Sequence, residues 1–286
     1  MIQSVAGRVV CSAVVFSALS ALAAAPASAV NRRAFVTSVA GNGNLFSGSW
    51  PGAIGATSLD RADSVCRARA AAGGLPNATT YRAWLSTSTV DAFCHVQGLA
   101  GTKANGCNGA AQPGAGPWYI QNGITPFSPA LSVLTGPGKV IYRPVLMDEF
   151  GDEPAYELAD YWTGTTEEGV HEGESCLDWT SSSVLEFGQR GHAQSSAYGW
   201  TRMASYSCDS PLRLLCFEPG ASAPFNLSWS PGALAFVSSQ TGQGDLGAWP
   251  QAGGATGLAA GDAICQSLAA SAHLPAPESF VAWLSD

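Results

Sequence analysis

About fifty residues near the start of the chain return near its end in an almost constant register, the mark of an internal duplication. "RAFVTSVAGNGNL" at Arg33–Leu45 is answered by "LAFVSSQTGQGDL" at Leu234–Leu246. Trp50-Pro51 returns as Trp249-Pro250, and "RADSVCRARAAAGGLP" at Arg61–Pro76 as "AGDAICQSLAASAHLP" at Ala260–Pro275. Trp84-Leu85-Ser86 returns as Trp283-Leu284-Ser285, and from Trp50 onward the spacing holds at 199. The expected organisation is a whole first copy over residues 30–218, a Pro-, Gly- and Ser-rich linker over 219–232, and a second copy over 233–286 that breaks off early. The closing "SFVAWLSD" reads as a buried strand whose partners would have to follow it. The chain is thus expected to be a fragment or the product of a truncated gene.

Residues 1–29 read as a targeting segment. Arg8 gives the positive start, Val9–Ala25 the apolar run, and Ala27-Ser28-Ala29 the cleavage site, which predicts Sec-type export to the cell surface or medium. No later stretch is apolar enough to span a bilayer. Seven cysteines follow this segment, and in an exported chain they read first as disulfides. Cys265 sits where Cys66 sits in the first copy, so it is the one expected to be unpaired.

The net charge is -8, with 13 Lys and Arg against 21 Asp and Glu. Nucleic acid and anionic membranes are excluded as natural partners, since both need a basic face. With 46% hydrophobic residues, 12% charged and nine Trp, the chain supports a packed core.

Locally, "AFVTS" reads as a strand and Thr57-x-x-Asp60 as a capping box opening a helix. Leu59, Ala62, Val65, Cys66 and Ala70 form its apolar stripe, and Gly73-Gly74 ends it. "YRAWLS", "KVIYRPVL" at Lys139–Leu146 and "LRLLCFE" at Leu212–Glu218 read as further strands, and Ser88-x-x-Asp91 as a second helix start. Residues 101–138 read as loop. An early helix and late short strands predict an α+β domain.

Three blocks carry a resemblance: "ADSVCRARAAAGGLPNATTYRAWLST", "YWTGTTEEGVHEGESCLDWTSS" and "GWTRMASYSCDSPLRLLCFE". In this order they resemble endostatin-like domains, the C-terminal module of certain collagens and of bacterial exported proteins, which have a C-type-lectin-like fold. The resemblance implies Cys66–Cys216 and Cys176–Cys208 disulfides, while Cys94 and Cys107 are extra to that pattern and are expected to pair locally. It further implies a non-enzymatic binding or adhesion module for an extracellular protein or carbohydrate. Heparin binding and an N-terminal zinc site do not carry over, because arginines are few and the mature N-terminus has no His.

The most unusual stretch runs from Asp148 to Asp178. It holds eleven acids and no Lys or Arg. One reading is a solvated acidic face. The other is calcium, which takes six to eight clustered oxygen ligands, with Asp148, Asp152, Glu153, Glu157, Asp160, Glu167, Glu168 and Asp178 as candidates. The Glu-Pro-Asn and Trp-Asn-Asp triplets of calcium-dependent lectins are missing, though Glu153-Pro154 and Asp178-Trp179 stand near their places. Trp162, Trp179 and Trp200 are expected in the core. Trp50 and Trp118, in Pro/Gly contexts, are candidates for stacking on a ligand, and Trp229 shares that context. Hydrolase signatures such as H-E-x-x-H and G-x-S-x-G are missing, so a secreted hydrolase is the weakest alternative.

Overall fold

Alternating apolar residues build one mixed sheet with a packed layer on each face. The computed structural model describes residues 31–225 and 233–285; the expected signal segment, Trp229 and the rest of the second half of the expected linker lie outside the described residues. The strands are β1 Arg32–Val36, β2 Arg82–Ala83, β3 Trp118–Ile120, β4 Pro126–Ser128, β5 Asp160–Trp162, β6 Phe187–His192, β7 Ala204–Ser207 and β8 Arg213–Phe217. They join in the order β4-β3-β1-β8-β5-β6-β7, with β2 also against β8. The helical segments are α1 Ser58–Ala72, α2 Ala92–His95, α3 Gly106–Gly109, α4 Leu131–Leu134, α5 Cys176–Trp179 and α6 Gly257–Ser271. The chain is therefore α/β-mixed, one sheet with three disulfides.

β8 is the central strand. It runs antiparallel to β1 on one side; on the other it runs antiparallel to β2 and parallel to β5. Successive side chains of a strand point to opposite faces, so Leu215 and Phe217 join one core layer and Leu214 and Cys216 the other. The first layer packs Trp84, Trp118, Trp200, Phe127 and Phe217, and the second packs α1 with Phe35, Tyr81, Trp162 and Trp179. Trp162, Trp179 and Trp200 are all buried.

α1 forms as its sequence dictates. Thr57 caps it and accepts from the Asp60 amide at 3.1 Å, while the Asp60 carboxylate takes the Thr57 amide at 3.1 Å. Its stripe carries Cys66 to Cys216, a bond spanning 150 residues; Cys176–Cys208 and Cys94–Cys107 span 32 and 13. On the chain-entropy model these are worth roughly 5, 4 and 3 kcal/mol. Buried charge closes the layer. Asp63 accepts from the Ala83 amide at 2.9 Å, faces His95 Nε2 at 2.8 Å and pairs with Arg82 at 2.9 Å.

Three readings of the sequence need correction. Lys139–Leu146 forms no strand, since Pro144 has no amide to give a ladder and only isolated bonds such as Tyr142 N–H to Phe127 O are made. The second helix begins at Ala92 with Asp91 at its N-cap, while Ser88 bonds Asp178 instead. Residues 280–285 lie in no strand; Phe280 and Ala282 are half-buried, while Val281, Leu284 and Ser285 are exposed and Trp283 is fully open to solvent.

Residues 233–285 form no strand, but they share several local features with 33–86. α6 matches α1 in length and position at the 199 spacing. Asp262 Oδ1 accepts from the Ala282 amide at 2.8 Å, as Asp63 Oδ1 does from Ala83. Trp50 Nε1 donates to Asn42 O at 2.7 Å and Trp249 Nε1 to Gln243 O at 2.9 Å. Both indoles lie on a glycine, Gly41 and Gly242, where an added Cβ would come within 2.5 Å and 2.3 Å of the ring. Tyr142 Oη donates to Ala272 O at 3.3 Å and Gln240 Nε2 to Pro137 O at 2.6 Å, which joins the two segments. No helix among the described residues is long and apolar enough to cross a membrane.

Candidate functional site

The acids of 148–178 do not converge. Among the described residues no three His, Cys, Asp or Glu side chains stand together as a metal site. Several of these acids are matched to a cation or donor, some from far along the chain. Asp148 Oδ1 accepts the Phe150 and Asp152 amides, closing its own turn. Glu149, wholly buried, takes Arg69 at 2.5 Å and Ser38. Glu153 faces Arg143 at 3.6 Å, Asp160 pairs with Arg190, and Glu167 faces Arg202 at 3.6 Å. Glu168 uses its carbonyl for Lys103 at 2.7 Å, and Asp152 and Glu157 stand exposed. Burial pushes Asp160 above the usual carboxylate range despite Arg190. Burial also acts upward on Asp178, but the Ser88 hydroxyl and amide, with Ser175, outweigh it and hold this carboxyl below its usual range. The expected calcium ligands therefore do not form one cluster among the described residues, and the carboxylates of Glu149, Asp160 and Glu167 face arginines.

Trp50 and Trp118 are corrected too. Trp118 has no exposure; β3 lies parallel to β1, which places its ring edge-on to Phe217 at 5.1 Å with Nε1 donating to Glu218 O at 2.9 Å. Trp50 is 4% exposed and seated on Gly41. Neither offers a face for stacking.

What the structure brings together lies on the β6–β7 side. Two neighbouring grooves of 510 and 540 Å³ share Gly173 and Glu174. One is lined by Glu172, Arg202, Tyr198 and Met203, the other by His171, Asp178, Glu186, Leu177 and Phe187. Arg202 reaches Glu172 at 2.7 Å, and Glu174 bonds the Ser205 hydroxyl. Leu177 and Phe187 line the second groove, and Val184 and Leu185 shortly precede Phe187 in the chain; all four are exposed, Leu185 to 81% and Phe187 to 48%.

Leu177 is held there by an unusual backbone. Cys176, Leu177, Asp178 and Trp179 have φ of 50, 54, 53 and 65°, so α5 is a left-handed turn without a glycine. L-residues in that conformation cost about 1–2 kcal/mol each, and such strain concentrates at functional sites. The surroundings impose it: the Cys208 disulfide on one end, the buried Trp179 donating to Ser86 O at 2.7 Å on the other, and Asp178 fixed by Ser88 between. α3 is a second such turn, through Cys107 and Asn108. Asn105-Gly106 and Asn108-Gly109 mark the α3 turn in the sequence, whereas no such signal marks Cys176–Trp179.

His171, Ser175 and Asp178 are neighbours, but Asp178 contacts Ser175 at 3.2 Å rather than the imidazole, and Ser175 is buried. In a nucleophile relay the carboxylate orients the base; here it does not. No family model matches the sequence, and no curated protein matches it significantly.

Proposed function

We propose that the chain is an exported, non-enzymatic adhesion module: one endostatin-like unit of C-type-lectin-like fold followed by the first part of a second. The repeated hydrogen bonds of Asp63 and Asp262, and of Trp50 and Trp249, support the tandem reading. The observation that carries the binding role is the set of exposed apolar side chains Leu177, Val184, Leu185 and Phe187, of which Leu177 and Phe187 line a groove that adjoins one lined by Glu172, Glu174 and Arg202, with Leu177 presented by the left-handed turn. Exposed apolar groups rimmed by charge suit a protein partner, since such patches mark protein contact surfaces. A glycan is the alternative, with exposed Tyr198 and Tyr206 as the rings it would stack on.

The full chain is screened against immobilised matrix proteins and a glycan array, first in calcium and then in chelator. Protein binding indifferent to chelator is the expected result. Binding confined to glycans, or lost in chelator, would overturn it.

A further inference from the structure

Three acceptors in the groove of Glu172 and Arg202 lack a donor. The first belongs to Gln189, which is only 4% exposed yet lines this groove. Its Nε2 donates to Arg190 O and Ala204 O, both at 3.1 Å, which fixes the end of the amide that carries the oxygen. Oε1 has one neighbouring hydroxyl, Ser205 Oγ at 3.5 Å, which lines the groove with it. A hydroxyl carries a single proton, and that of Ser205 goes to the Glu174 carboxylate, the stronger acceptor. Gln189 Oε1 is thus an acceptor on a buried side chain with no proton to accept. Such groups are few in folded proteins and costly to leave unpaired.

The second acceptor is Glu172 Oε2, buried and unbonded, since Arg202 donates to Oε1 alone. The third is Glu174 Oε1, which accepts nothing among the described residues while Oε2 holds Ser205. Arg202, the cation of the lining, is already engaged: Nε and Nη2 donate to Glu172, and Nη1 faces Glu167 at 3.6 Å. Exposed Tyr198 and Met203 complete the wall. Unsatisfied acceptors, two of them on carboxylates, beside an aromatic ring and a thioether suit a group with several N–H donors, a positive charge and an apolar stem.

We propose that this 510 Å³ groove receives a cationic side chain, an arginine or a lysine, of the partner protein. Its N–H groups satisfy Gln189 Oε1, Glu172 Oε2 and Glu174 Oε1, and its methylene stem lies along Tyr198 and Met203. The adjoining groove adds to the charge, with Glu174, Asp178 and Glu186 in its lining and no Lys or Arg, so the field over both favours a basic partner. Leu177 and Phe187 in that groove take up apolar residues flanking the cation. That the cation belongs to a protein rests on the binding role proposed above; the site itself is tested without it.

The probes are peptides acetyl-Ala-Leu-X-Leu-Ala-amide, with X as arginine, lysine or citrulline, titrated into the isotope-labelled full chain at low salt and followed by nuclear magnetic resonance. Citrulline keeps the shape of arginine and lacks its charge. The arginine and lysine peptides should shift the amide resonances of Glu174, Gln189 and Ser205 and bind about tenfold or more tighter than the citrulline peptide. Glu172→Gln/Glu174→Gln should lower that affinity about tenfold. Asp152→Asn/Glu157→Gln, the same loss of charge at exposed acids elsewhere, should leave it unchanged, with melting curves verifying both folds. Equal affinity for the arginine and citrulline peptides, or shifts confined to other residues, would overturn the proposal. A chain that takes the arginine peptide but no matrix protein would leave the site standing and remove the adhesive reading. One that binds a matrix protein but not the peptide would remove the site alone.

Discussion

Replacing Asp63 by Ala removes one carboxylate and strands several groups at once. The side chain is 2% exposed, and its Oδ1 serves the Ala83 amide at 2.9 Å and His95 Nε2 at 2.8 Å. Oδ2 holds Arg82 at 2.9 Å, with Arg67 at 3.8 Å. The amide and the imidazole are buried, and each loses its partner at about 1–3 kcal/mol. Arg82 is one-third exposed and returns to water at small cost. The sum is about 3–5 kcal/mol, the usual cost of breaking a buried pair from one side. Arg82→Ala should cost only about 1 kcal/mol or less, because Asp63 keeps its other donors. Denaturant unfolding with the disulfides intact, followed by tryptophan fluorescence, measures both. Asp63→Ala should also lower Tm by about 6–20 °C. If the two substitutions cost the same, the carboxylate is not the hub described and the reasoning fails.

The same unfolding assay separates the two copies of one tryptophan. Trp84→Ala empties a site packed on Trp200 and Phe217 and should cost about 3–5 kcal/mol, while Trp283→Ala should change stability by less than about 0.5 kcal/mol. Removing the 150-residue disulfide as Cys66→Ala/Cys216→Ala should destabilise by roughly 5 kcal/mol, more than the roughly 3 kcal/mol for Cys94→Ala/Cys107→Ala; a reversed order would contradict the loop argument. Millimolar calcium should move Tm by less than about 1 °C, since no cluster of ligands stands together among the described residues; a rise of several degrees would support a calcium site. Asp178 is held below its usual range, so its carboxylate stabilises the fold above about pH 4, and this contribution is lost as pH falls through the lower folded value. Asp178→Asn should flatten that acid limb of a stability–pH curve, and an unchanged limb would count against the Ser88 contact.

What the sequence made legible was local. The capping box of Thr57 and Asp60, the stripe of α1 and the alternation in "LRLLCFE" each lie within one element, where periodicity reports burial. β3, β4 and β5 span three residues each, too few for a period of two to register, and they exist through partners far along the chain. Trp118 was misread for that reason: its Gly-Pro context suggested a loop, but β1 and Phe217 decide its burial. The acids of 148–178 suggested calcium because the neutralising cations, Arg69, Arg190 and Arg202, come from outside the stretch. The left-handed turn at Cys176–Trp179 was invisible because no glycine marks it and tertiary contacts alone enforce it.

The claim that Leu177 to Phe187 form the binding face is tested most directly by one comparison. The wild-type chain and Leu177→Asp/Leu185→Glu are titrated side by side onto the best-bound matrix protein of the panel. Both leucines are exposed, so the double variant should keep the wild-type melting curve. The account predicts that its affinity falls about tenfold or more, as loss of apolar anchors at an interface would cause. Undiminished binding by the well-folded variant would place the binding surface elsewhere and contradict the account.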